Sequence, residues 1–275
     1  MSGGYFTLPA RTLIRVTGGD ALRYLNGQLS NDLRKLAPGQ AMRACLLTAK
    51  GKLVADPFVW REAEAFLLEA HADLADALLA RLERYLVADD VTLEPIDSPP
   101  GRYHFPGVLL ADALTINRLG LPGSDVAELP VGSHALEPNE IEQIRIRHAQ
   151  PVWGRELDED VLPAEAGLDR LAVDFHKGCY VGQEIVSRIE SVGRVKRQLA
   201  VLETRPHLVA GTALALSDAD EAIGKITSSS PDSKGPNGVA LAWLPTVHAT
   251  VGTTLKPALN QSDVLTEIKV IEKLP

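Results

Sequence analysis

The stretch 176–198, HKGCYVGQEIVSRIESVGRVKRQ, sets a cysteine between two glycines ahead of a helix-like segment, and it constrains the fold more than any other part of the chain. Gly178 and Gly182 open backbone conformations closed to other residues, so Cys179 is expected on a tight loop. Gln183 and Glu184 begin the expected helix, whose unpaired N–H groups and dipole favour an anion just before it. Lys177 and Arg188 add to that positive field, and Glu184 opposes it. The balance predicts a thiol with a lowered pKa. The competing reading is a small buried hydrophobe, the common fate of a free cysteine.

At 275 residues the chain exceeds what one core usually serves, so two or three compact units are expected. A net charge of −8 argues against wrapping a nucleic-acid backbone. The two cysteines, Cys45 and Cys179, form neither a disulfide framework nor a metal-ligand pair, which predicts a reducing compartment and no permanent metal. The opening MSGGYFTLPARTLIRV has no basic-then-apolar leader, and no apolar run reaches a membrane span. A bacterial cytoplasmic location, no membrane contact and a monomer are the expectations.

Read in order, TLIRV is a strand, and Asp20 is placed to cap a helix through Leu22 and Leu25. Asn31 and Asp32 follow, readable as caps or as ligand contacts. Segments 44–48, 53–60, 66–70 and 91–96 read as strands, and 72–86 as a helix with Leu74, Leu78, Leu82 and Leu86 or Tyr85 on one face. Such a β-β-β-α-β unit buries one sheet face under its helix. Asp56 interrupts the second strand and His71 ends the third; each also reads as an ordinary strand-end residue. A turn-rich break is expected at 97–101, short strands at 108–112 and 114–119, and a helix from Pro138 to about His148 carrying Arg145. Trp153 follows in the loop AQPVWG. Six short alternating segments between 198 and 271 predict a small antiparallel barrel.

The string KGCYVGQE, with Arg188 after it, resembles the signature of the YgfZ-type folate-binding proteins, relatives of the aminomethyltransferase (T-protein) of the glycine cleavage system. In weaker form the likeness covers nearly the whole chain: GGDALRYLNGQLSNDLRKLAPGQ resembles the superfamily's opening, and IRIRHAQPVWG resembles the T-protein stretch LRLEAGLPLYG. The resemblance implies an α+β, three-domain T-protein-like fold with ferredoxin-like domains and a C-terminal β-barrel. Its domains would be 1–41 with 113–193, 42–112, and 194–275. It also implies a pocket for tetrahydrofolate or a one-carbon derivative. Asp56 matches the acid that faces the folate, and His71 departs from an asparagine. Arg145 matches the motif arginine and Trp153 its tyrosine, while Lys177, Gln183, Glu184 and Arg188 complete the set around Cys179.

The function implied is that of an accessory protein that binds folate and supports assembly or maintenance of iron–sulfur enzymes, including tRNA-modifying ones, with transient contact to those enzymes or to assembly proteins. Cys179 would then be a transient ligand, a redox group or a nucleophile. The alternative is a folate-dependent aminomethyltransferase using Asp56. A cysteine hydrolase pairing Cys179 with His176 has no supporting pattern.

Overall fold

A computed structural model of the chain describes residues 3–97, 102–191, 193, 195–232, 235–258 and 267–273. In chain order the first elements are β1 (Gly4–Thr7), β2 (Arg11–Thr17), α1 (Ala21–Gln28), β3 (Met42–Arg43), β4 (Leu46–Leu47), β5 (Leu53–Ala55), β6 (Phe58–Glu62), β7 (Ala65–His71), α2 (Ala75–Glu83) and β8 (Thr92–Ile96). Next come β9 (Tyr103–Pro106), β10 (Leu114–Ile116), β11 (Gly123–Val126), β12 (His134–Ala135), α3 (Pro138–Arg147), α4 (Leu168–Ala172) and α5 (Gln183–Ser191). Last are β13 (Arg197–Arg205), β14 (Ala213–Leu216), β15 (Ala222–Pro231), β16 (Gly238–Pro245), β17 (Thr254–Pro257) and β18 (Glu267–Lys273). The chain divides into two compact units: Met1–Ala135 with Asp158–Pro163 and Leu168–Ser191, and Leu136–Leu157 with Ala164–Gly167 and Val192–Pro275. The expected domain 42–112 falls in the first unit, whereas the expected domain 1–41 with 113–193 is divided between the two, residues 136–157 among those in the second.

The first unit holds two five-stranded sheets, ordered β3-β6-β7-β2-β8 and β10-β11-β9-β1-β12. Alternation decides the faces of the former. Ile14, Val16, Phe66, Leu68 and Ala70 are buried on one side, where Leu78 and Leu82 of α2 are fully enclosed. Arg11, Leu13, Phe58, Trp60, Leu67, Glu69 and His71 share the other side, in the register Phe58 opposite Glu69 opposite Leu13. The second helix is shorter than expected. It begins with a 3-10 turn at Ala72–Leu74 and ends at Glu83, which leaves Tyr85 exposed with Arg81 stacked 4.2 Å from its ring centroid.

Two further expectations are corrected. The Asp20 carboxylate accepts from Asp90 N at 2.9 Å instead of capping α1. Residues 108–112 form no strand, while β9 and β11 do, although GSDV carries no apolar alternation; pairing of Asp125 with His104 holds that ladder. Of the expected break at 97–101 only Asp97 lies within the described residues, and Thr266, where the last strand was expected to begin, lies outside them.

In the second unit six strands close into a barrel ordered β13-β16-β15-β14-β17-β18, as the alternating segments predict. Ala200, Leu202, Ala240 and Ala242 point into the barrel core. Their neighbours Leu199, Val201, Val239 and Leu241 pack with Ile146 and Ala149 beside α3. Pro138 occupies the first turn of α3, and the Glu140 carboxylate accepts from Glu137 N at 2.8 Å.

One close approach fixes the loop before α5. Gly182 has φ +88°, and a Cβ there would lie 2.6 Å from Thr48 O; Gly51, at φ +75°, sits under Ile185 in the same way. Gly182→Ala should therefore destabilise the protein by about 2–4 kcal/mol in chemical denaturation; a loss below about 0.5 kcal/mol, the range of ordinary surface changes, would show the approach to be soft. The Tyr24 hydroxyl donates to Leu82 O, and burial raises its pKa to about 12. A raised phenol contributes stability below its unfolded pKa near 10 that fades toward 12. Tyr24→Phe should cost about 1 kcal/mol at pH 8, with the gap to wild type narrowing between pH 10 and 12; a gap that stays constant would contradict this.

Candidate functional site

Cys179 is exposed on the loop between α4 and α5, in a cleft of about 360 Å³ shared with Leu22, Arg23, Asn26, Gly27, Arg34 and Lys177. The loop is tied to α1 and the turn after it. Val181 N donates to Gly27 O at 3.2 Å, Asp174 N to Ser30 O at 3.0 Å, and Lys35 pairs with Asp174. Lys177 is the main strut: its buried Nζ donates to Leu29 O and Asn31 O, each at 2.6 Å, and reaches Asn26 Oδ1 at 3.5 Å. Burial lowers its pKa to about 8, and the nearby carboxylates of Asp32 and Asp174 offset that desolvation only in part. The ammonium is thus directed onto the main chain beneath the loop. Helix α5 starts four residues past Cys179, with Gln183 half-buried and Glu184 and Arg188 exposed. Asp32 caps the 3-10 turn Leu33–Lys35 and pairs with Arg34, and Asn31 Nδ2 donates to Arg43 O, so both serve the local chain.

A second hollow lies on the sheet face opposite α2. It measures about 580 Å³, with Leu13, Trp60, Leu67, Ile96 and Leu114 as an apolar wall, Arg102 and Asp125 at its polar end, and Arg61, Glu62 and Asp112 also in its lining. Its volume lies within the range of about 300–1,000 Å³ usual for small-molecule sites. Trp60 Nε1 donates to Glu62 Oε1 at 3.2 Å, and Arg102 stacks 5.5 Å from the Trp60 ring centroid.

A buried ionic network adjoins this hollow. Glu69, fully enclosed, accepts from Arg11 Nε at 3.2 Å, from Arg118 Nη1 at 2.5 Å and from Arg102. Asp125 accepts from Arg102 Nη2 at 2.9 Å, from Arg118 and from His104 Nδ1 at 2.8 Å. Burial works to raise both carboxyls, but the arginines outweigh it at Glu69, and His104 with Arg118 hold Asp125 down at about 2. The His104 pKa is lowered by burial, so the neutral ring donates from Nδ1 to the carboxylate. These acids stay ionised across the physiological range.

Asp56 stands one register step beyond Phe58, at the same end of the sheet as His71, and forms a nearly buried pair with Arg43. His71 accepts from Asp73 N at 3.4 Å and so opens the turn into α2. Neither residue lines the large hollow. Arg145 and Trp153 lie in the second unit. The Arg145 guanidinium is spread over Glu142, Gln150 O and the fully enclosed Glu156, which also accepts from Thr227 and Ser228; Trp153 is half-buried. Sequence reasoning missed Trp60, Arg102, Arg118, Asp125 and Glu69. One signal was legible, since Glu69 interrupts the apolar strand AFLLEAH and a charge there must find a partner.

No protein-family model matches the sequence. The chain is 30% identical over 235 residues to the mitochondrial iron-sulfur cluster assembly factor IBA57 homolog of Pyricularia oryzae, an alignment covering 76% of this chain and 59% of that protein. It is 23% identical to an aminomethyltransferase of Halalkalibacterium halodurans over 96% of this chain and 85% of the relative. The crystal structure of glycine cleavage system aminomethyltransferase T from Bartonella henselae shares the fold, with TM-score 0.80 at 20% identity, covering 98% of this chain and 86% of that one. The chain is thus similar in sequence to an iron–sulfur cluster assembly factor and to aminomethyltransferases, and it has the fold of aminomethyltransferase T.

Proposed function

We propose that this protein binds tetrahydrofolate or a one-carbon derivative and supports assembly or maintenance of iron–sulfur enzymes, tRNA-modifying enzymes among them. The carrying observation is the hollow of about 580 Å³ in which an indole and aliphatic side chains face a polar end built from Arg102 and Asp125. A flat heterocycle with a polar edge suits such a wall, and Arg102 at its polar end is already fixed by two carboxylates. The folate would supply one-carbon chemistry when bound. The chain's own part is to orient it and exclude water.

The iron–sulfur part of the reading draws on the name of the Pyricularia oryzae relative and on the exposed thiol. Among the described residues no group of three or more His, Cys, Asp or Glu side chains could hold a metal ion. In this reading Cys179 serves as one transient ligand to a cargo cluster whose other thiolates come from a client or assembly protein. A bacterial cytoplasmic location, a monomer and no direct nucleic-acid contact belong to the same proposal; among the described residues no helix is long and apolar enough to cross a membrane.

The fold and the retained Asp56 favour a second reading, aminomethyl transfer. Against it, Asp56 is paired with Arg43, and Glu69 and Asp125 are locked by arginines. Glu69 and Asp125, held ionised in this way, are poor proton carriers. Purified protein should accordingly form no methylene-tetrahydrofolate from an aminomethyl-lipoyl carrier protein, and steady turnover would install the transferase reading instead.

Calorimetric titration should show tetrahydrofolate binding to wild type, weakened about tenfold or more by Trp60→Ala through loss of stacking area; unchanged affinity in that variant would remove the hollow as the site. Cys179→Ala should bind folate like wild type yet fail to restore iron–sulfur enzyme activity in a strain lacking the protein. Full restoration would refute a role for the thiol.

A further inference from the structure

We propose that His104 is an acid-sensitive latch on the second sheet, holding β9 against β11 only while its imidazole is neutral. The inference does not depend on what the hollow binds. His104 lies on the middle strand of its sheet and is fully enclosed. Its Nδ1 donates to Asp125 Oδ1 at 2.8 Å, across a register in which the two residues stand opposite each other. The other ring nitrogen, Nε2, is buried and has no hydrogen-bond partner among the described residues. A Cβ added at Gly123 would stand 2.9 Å from Nε2, so that atom packs against the main chain of β11. Phe6, opposite His104 on β1, closes another side edge-on, with ring centroids 5.3 Å apart.

A neutral ring tolerates this surrounding, since its Nε2 carries a lone pair and no hydrogen. An imidazolium would turn the same atom into a donor without an acceptor, leaving a buried charged group short of a hydrogen bond. The neighbouring ions work in the same direction. Asp125 from β11 and Glu69 from the first sheet favour a cation, but both are already paired with Arg118, from the segment between β10 and β11, and with Arg102, just before β9. Glu69 is paired with Arg11 as well. Three arginines thus face two carboxylates before the imidazole is charged. Burial lowers the His104 pKa accordingly. The folded protein refuses a proton that the unfolded chain accepts near pH 6.5, so stability is complete above that value and is lost as pH falls below it. Opening the latch frees Asp125, and with it the polar end of the hollow that Asp125 shares with Arg102.

Equilibrium urea unfolding as a function of pH tests the latch. His104→Asn keeps a donor for Asp125 and cannot titrate. Between pH 7.5 and 5.5 the unfolding constant of wild type should rise about tenfold relative to that of the variant, as one histidine gains its proton in the unfolded state only. The contribution of His207, whose pKa burial also lowers, is common to both proteins and cancels. A ratio that stays constant across this span overturns the latch. Should His104→Asn fail to fold as judged by circular dichroism, the imidazole signals of wild type decide by nuclear magnetic resonance. The His104 ring, identified by its contact with the Phe6 ring, should still be neutral at pH 5.5, and an imidazolium at that pH overturns the proposal.

Discussion

The first unit is built around two buried carboxylates held by arginine. Glu69 and Asp125 come from different sheets, and Arg102 and Arg118 each bridge the two. Burying an unpaired carboxylate is prohibitive; Asp125 finds its partners around its own sheet, whereas Glu69 takes Arg102 and Arg118 from the other and so depends on that sheet being in place. The network thus ties the sheets together, and the hollow of about 580 Å³ lies beside it, with Arg102 and Asp125 shared between the two.

The thiol loop follows a different logic. Here a buried amine does the holding, with carbonyl groups as its partners and no carboxylate among its bonds. Two glycines let the turn between β4 and β5 press against the start of α5, and the cysteine between the strut and the helix is left at the surface. Arginines 23 and 34 share its cleft but are paired with Asp20, Asp89 and Asp32. The loop presents an accessible sulfur at the surface.

Much of this was legible in the order of residues. The glycines around Cys179 placed it on a loop, and the strand alternation after residue 197 gave the barrel. Leu78 and Leu82 marked the buried side of α2. The expected site was legible only in outline. Arg145 and Trp153, assigned by motif, sit in the second unit, with Arg145 committed to Glu142 and Glu156. The hollow beside Trp60 draws on residues from 13 to 127, whose proximity depends on strand pairing that no local pattern encodes. Asp125 lies in a strand without apolar alternation, so periodicity passed over it.

The sequence by itself determined which residues take regular structure and where the thiol is presented, because periodicity, glycine freedom and capping act over a few neighbouring positions. Only the tertiary structure decided which charges are spent on one another. That outcome depends on distances of a few ångströms between residues far apart in the chain, and on burial, which makes each ion's partner a question of where the whole sheet lies.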